Sequence, residues 1–194
     1  MIEAAKAAGV RRVGYTSIAA ADRSTNPLVP EHKATEDMLR ASGLPYTIFR
    51  NNWYLENYTG QLPQYLAQGE VLGLDGSARI GAATRADMAG AIAAALLDDG
   101  TAGATLELSG PPITLPEVAA AVTDMTGTKV AYREVTAEEL GAVLRGSGLD
   151  DATVGFLVSL DESVARGDLD VSTDDLERLL GRPATTLTEA LRAA

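Results

Sequence analysis

The chain has 194 residues, of which 46% are hydrophobic and 22% charged, which suits one domain, or one with a small lobe, and excludes general disorder. The absence of cysteine excludes disulfides, cysteine-held zinc and a thiolate nucleophile, and a single histidine, His32, excludes a multi-histidine metal site, so no metal is expected. The net charge of −11 falls wholly on residues 98–194, which hold 7 basic and 18 acidic side chains against 9 of each in residues 1–97; an acidic half argues against nucleic-acid and anionic-membrane partners and reads as solubilising surface.

The first predicted element is a helix from Ile2 to Ala8, stopped by Gly9. A short strand, Arg12 to Ser17, follows and ends in hydroxyls. After a Ser-, Asn- and Pro-rich loop from Asp22 to Pro30, Glu31 to Ser42 reads as helix, with Ala34, Met38 and Ala41 as its inward stripe beside Leu39. Tyr46 to Arg50 is the next strand. This alternation predicts a parallel sheet with covering helices.

Gln64 to Gln68 reads as a helical stretch, and Val71–Leu74 and Ala78–Gly81 as a hairpin on an Asp75-Gly76 turn. Thr84 should cap a helix to Leu97, buried on most sides, with Asp87 as its capping-box partner. Thr105 to Gly110 alternates as a strand, and Val130 to Val135 is another candidate. Thr114-x-x-Glu117, Thr136-x-x-Glu139 and Thr186-x-x-Glu189 are three capping boxes that mark helix starts. No apolar run reaches the length of a membrane span and no signal peptide opens the chain, so a soluble, cytoplasmic protein is expected.

The densest candidate chemistry follows the second strand, where ligands collect beyond strand carboxyl ends in open parallel sheets. Asn51 and Asn52 can donate to and accept from a carboxamide, and Trp53 and Tyr54 offer flat surface to a planar ring; the alternative is an aromatic plug against a C-terminal lobe. Tyr15, Thr16 and Ser17 end the first strand and either bind a ligand or cap the loop. His32 is a candidate proton donor, and Lys33 a candidate for holding a ribose hydroxyl or polarising a carbonyl, against the alternative of a solvated first helical turn. No Tyr-x-x-x-Lys pair supports Lys33, since Val29 stands four residues before it. Arg85 reads either as a phosphate ligand or as an ion-pair partner of Asp87. The pairs Asp98-Asp99, Asp150-Asp151 and Asp174-Asp175 read as caps rather than catalytic carboxylates. Neither G-x-G-x-x-G nor a Walker loop occurs.

Several stretches stand out together: Ala4-Ala5-Lys6-Ala7-Ala8-Gly9-Val10, Tyr15-Thr16-Ser17 and Arg50-Asn51-Asn52-Trp53-Tyr54-Leu55-Glu56-Asn57-Tyr58. Ala83-Thr84-Arg85-Ala86-Asp87 and Leu179-Leu180-Gly181-Arg182-Pro183 continue the set to the far end. In these stretches the chain resembles the NmrA-like, atypical short-chain dehydrogenase family, and within it the NAD(P)H:quinone oxidoreductase type 2 branch. The resemblance implies a Rossmann-type doubly wound α/β fold, with residues 1–58 and parts of 78–110 on the NAD(P) side and 59–194 mainly in a smaller substrate lobe. It implies hydride transfer from NADPH to a quinone or similar small acceptor. Asn51, Asn52, Trp53, Tyr54, Leu55 and Glu56 would line the nicotinamide half of the site, above Tyr15, Thr16 and Ser17 and beside Arg85. Tyr54, Lys33 and His32 are the catalytic candidates. Family members open with a strand and a Gly-rich pyrophosphate turn. This chain is expected to lack that segment, as a fragment, by using another chain's, or as a shortened paralogue, and so to bind NADPH weakly and to expose a sheet edge open to a homo-oligomer. The rival reading is a non-catalytic regulator or interaction module that has lost nucleotide binding.

Overall fold

A computed structural model describes residues 1–194. In chain order the elements are α1 (Ile2–Ala7), β1 (Val13–Ile18), α2 (Val29–Ala41), β2 (Tyr46–Asn51), α3 (Glu56–Thr59), α4 (Leu62–Gln68) and β3 (Glu70–Gly73). There follow α5 (Arg85–Leu97), β4 (Thr105–Leu108), α6 (Leu115–Thr126) and β5 (Ala131–Glu134). Four helices close the chain: α7 (Ala137–Gly146), α8 (Asp151–Ala165), α9 (Asp175–Leu180) and α10 (Leu187–Ala193). No helix is long and apolar enough to cross a membrane.

The fold is α/β with all named strand pairs parallel. One sheet has the order β1-β2-β4, with Thr16 opposite Phe49 and Phe49 opposite Leu106; the other pairs β3 with β5. The central strand β2 is almost wholly buried, as a parallel strand covered on both faces must be. Its alternation divides the helices. Phe49 packs with Met88, Ala91 and Ala95 of α5, whereas Arg50, one residue on, reaches Glu36 of α2 on the other face. A second, larger core gathers Leu55, Tyr58, Tyr65, Val71, Val118, Val122 and Leu191 around β3 and α6.

All three predicted capping boxes form, at Thr114, Thr136 and Thr186, each with hydroxyl and carboxylate bonds in both directions. The acidic pairs cap or precede helices: Asp98 accepts from the Gly100 N–H, Asp150 accepts from the Thr153 N–H, and Asp174 stands at the N-cap of α9.

Five sequence expectations are corrected. The helix after the first loop begins at Val29 rather than Glu31, with Pro30 in its first turn, where a missing N–H costs nothing. Its inward residues are Glu36 and Leu39; Ala34, Met38 and Ala41 are exposed, Met38 by 56%. The expected hairpin does not form, because β3 pairs in parallel with β5 and Ile80 bridges Ile113. Asp75 does make a tight turn, accepting from the Ser77 N–H at 2.7 Å. However, Gly73 before it serves packing: a Cβ there would lie 2.2 Å from Leu115 Cδ1. Finally, α5 is buried on one stripe only, Asp87, Met88, Ala91 and Ala95, and its last residue Leu97 is 88% exposed. Thr84 accepts from the Asp87 N–H, but the Asp87 carboxylate turns to Arg182 and the Thr185 N–H instead of closing the box.

Candidate active site

The carboxyl ends of β1 and β2 open into a cavity of about 340 Å³. Eight sequence-predicted residues line it: Thr16, Ser17, His32, Asn51, Asn52, Trp53, Tyr54 and Arg85. Period-two alternation in β1 explains their roles. Tyr15 and Ser17 face α2, so the Tyr15 hydroxyl meets His32 Nδ1 at 2.9 Å and the Ser17 hydroxyl donates to Glu36 at 2.7 Å. Tyr15 therefore lies behind the cavity, holding the imidazole that reaches it.

The segment after β2 is pinned from several sides. The Asn52 N–H donates to the Leu108 carbonyl, and the Ala83 N–H to the Trp53 carbonyl. The Asn52 side chain is fully engaged: its amide donates to the Ser109 hydroxyl at 2.9 Å and the Leu169 carbonyl at 3.1 Å, and its oxygen accepts from the Trp53 N–H at 2.7 Å. Asn51 differs. Its amide donates to the Tyr54 hydroxyl at 3.2 Å, but its Oδ1 is buried with no partner, and so is the Trp53 indole N–H. Buried polar atoms are nearly always paired, so these two orphans, on residues that line the cavity, stand out as unmet hydrogen-bonding groups, with Glu56 Oε2 a third beside Arg85.

The Arg85 guanidinium lies 4.3 Å over the Tyr54 ring and 3.7 Å from Glu56. Glu56 also accepts from the Arg85 N–H at 2.9 Å, fixing the start of α5. Glu56 thus stands behind Arg85, and Leu55, 1% exposed, is part of the larger core. Lys33 points elsewhere, with its amino group 3.3 Å from Asp22 and 3.0 Å from Asp37; the Asp37 hydrogen bond raises its pKa and keeps it cationic.

Arg50, in the same motif, turns under the sheet instead of into the cavity. It bonds Glu36, Asp22 and Glu107 at 2.7–3.2 Å. Burial alone would raise the Glu36 pKa, yet Arg50, Ser17 and Arg40 together hold it down to about 2, and the Arg50 hydrogen bond holds Asp22 at about 2 as well. This network locks α2, and with it His32, against the strand ends.

The far wall was not foreseen. It comes from α8, through Phe156 and Leu160, with Leu28, Asn57 and Leu169. Asp168 holds it to the first loop by accepting from the Thr25 N–H at 2.7 Å and hydroxyl at 2.8 Å. Phe156, Leu160 and Leu169 are more than 100 positions beyond β2, and nothing local in the sequence links them to it, whereas Asn57 belongs to the motif that follows β2.

The model of the NmrA-like family matches residues 1–185. The chain belongs to the NmrA-like family. It is 40% identical over 192 residues to quinone oxidoreductase 2 of Escherichia coli, covering 98% of this chain and 67% of that protein. It is 30% identical over 199 residues to an NmrA-like domain-containing oxidoreductase of Aspergillus flavus, covering 99% of this chain and 64% of that one. The chain thus spans about two thirds of the length of these relatives. Among solved structures, the NADPH-dependent quinone oxidoreductase of Escherichia coli in complex with NADPH superposes with a TM-score of 0.94 at 39% identity, over 99% of this chain and 68% of that one. Triphenylmethane reductase of Citrobacter sp. in complex with NADP(H) gives 0.92 at 30% identity, over 100% of this chain and 68% of that one. This NmrA-like chain therefore has the Rossmann-like architecture of those proteins, and its cavity lies at the strand ends where such sheets bind ligands.

Proposed function

We propose that this NmrA-like chain supplies the nicotinamide and acceptor side of an NAD(P)H-dependent oxidoreductase, reducing a quinone or similar planar acceptor. The unmet pair on two cavity-lining residues carries the reading: Asn51 Oδ1 can accept and Trp53 Nε1 can donate, the two bonds that a carboxamide offers in return. Family membership and the NADPH complex of the Escherichia coli relative support it. A reduced nicotinamide held there supplies the hydride. The chain's own residues bind and orient. Asn51 and Trp53 fix the carboxamide, Tyr54 gives the ring a face, Arg85 sets a cation at the rim, and Phe156 and Leu160 exclude water. His32, held by Tyr15, is the proton donor nearest the acceptor, and Lys33 steadies the first turn of α2 through Asp22 and Asp37. Residues 1–58 with parts of 78–110 form the cofactor side, and 59–194 mainly the substrate lobe.

No Gly-rich loop of this chain can hold the pyrophosphate, so NADPH should bind weakly. Reduced nicotinamide mononucleotide needs no such loop and separates the two halves of the reading. It should saturably quench the emission of Trp53, the sole tryptophan, and Asn51→Leu should weaken it about tenfold. Loss of reduced-nicotinamide absorbance on adding benzoquinone, abolished by Tyr54→Ala with folding intact, completes the test. Absence of any quench overturns the cofactor assignment, and micromolar NADPH binding by calorimetry overturns the claim of weak affinity.

A further inference from the structure

The front cavity, at about 340 Å³, is small for a ligand site, since such sites span roughly 300–1,000 Å³. On the hydride-transfer reading a nicotinamide and an acceptor ring share it, so a substituent on the acceptor needs further space. A second cavity of about 350 Å³ offers it. The two meet at Trp53, Asn57 and Leu160, which line both, and together they reach the middle of that range.

The rear cavity suits apolar, uncharged matter. Tyr58, Tyr65, Val71 and Leu140, all buried, form its deep wall, and Val143 and Leu144 of α7 and Leu157 of α8 complete it. The exposed Gln61, Gln64 and Gln68 mark its solvent side. Two acids also line it, Glu70, which pairs with Arg133 at 2.8 Å, and the half-buried Asp161. No lysine or arginine does, so an anion entering the cavity would meet two carboxylates and no cation of the lining. A hydrocarbon chain needs no polar partner and gains in proportion to the area it hides. We propose that the rear cavity receives an uncharged hydrocarbon chain borne by the acceptor, whose ring lies in the front cavity against Tyr54 while the chain passes Trp53 and Leu160 to lie against Val143 and Leu157. The substrate class is then a planar acceptor with an apolar tail. The place of the ring rests on the hydride-transfer reading; the place of the chain is tested without a nucleotide.

Calorimetry of the full chain with alkyl-substituted 1,4-benzoquinones makes that test. The octyl compound should bind one to one and about a hundredfold tighter than the methyl compound, and a chain of the same length ending in a carboxylate should lose most of that gain. Val143→Phe and Leu144→Trp each fill the rear cavity from α7, and neither residue lines the front one. Each variant should reduce the octyl compound to the affinity of the methyl compound while melting as cooperatively as the parent chain. Octyl affinity that survives both substitutions, or a carboxylate-ended chain that binds as tightly as the plain one, overturns the proposal. Equal binding of the octyl and methyl compounds overturns it too and leaves hydride transfer standing if benzoquinone is still reduced. An octyl preference that both substitutions remove supports the chain site even where no quinone is reduced, an outcome that sinks the hydride-transfer reading alone.

Discussion

Neighbouring asparagines in this motif have different duties. Asn52 spends every hydrogen-bonding group on the protein, whereas Asn51 keeps one acceptor free beside the cavity. The motif Arg50-Asn51-Asn52-Trp53-Tyr54 was legible in the sequence as a site. Which amide is structural was not, because the partners of Asn52 are Ser109 and Leu169, far along the chain. A glycine shows the same dependence. A Cβ on Gly110 would lie 2.1 Å from the Ala82 carbonyl oxygen, a backbone atom that cannot swing away. Ala82 precedes Ala83, which bridges Tyr54. Gly110→Ala should therefore cost roughly 1–3 kcal/mol in thermal or denaturant unfolding and shift the Trp53 emission, while a change at solvent-open Gly146 should do neither.

Helix α2 shows how a single buried charge redirects an element. Apolarity pointed to Ala34, Met38 and Ala41 as its inward stripe, but the stripe that packs contains Glu36, 0% exposed, because Arg50 waits for it on β2. Period alone places an apolar stripe inward and has no means of seeing a guanidinium from another strand. The pH dependence follows. Glu36 has its pKa lowered to about 2 in the folded chain, from an ordinary value near 4.5. The stability it contributes is fully present above the unfolded value and is lost as pH falls from about 4.5 toward about 2. Glu36→Gln should flatten that acid limb and, by leaving Arg50 under-compensated, cost roughly 3–5 kcal/mol at neutral pH. Urea titrations of both proteins across this window check it, and parallel acid limbs would show that other carboxylates govern it. The strand after α4 makes a related point. Asp75-Gly76 is a sound turn signal and does form a turn, yet the chain leaving it joins Ile113, since β5 supplies β3 with its partner.

At the scale of the whole molecule, the outer edge of β1 has no strand partner. Beside it runs an open apolar groove lined by Ile2, Val13, Met38 and Ala41, so the Met38 stripe faces this groove rather than a core. We propose self-association through this edge, with Val13→Lys placing a charge on it. Light scattering should give a dimer that dissociates in the variant; a monomer at all concentrations would refute the proposal.

Much of the molecule follows from sequence alone: the alternation that makes a parallel α/β sheet, three helix starts written as capping boxes, the acidic second half, and the polar-aromatic loop after β2. Those are local signals, carried by neighbours within one or two turns. The tertiary structure alone decided which face of α2 turns inward, that β3 pairs with β5, that α8 closes the cavity, and that Asn52 rather than Asn51 is held by the protein. Each depends on atoms brought together from distant parts of the chain, where burial removes water and makes the presence or absence of a partner decisive.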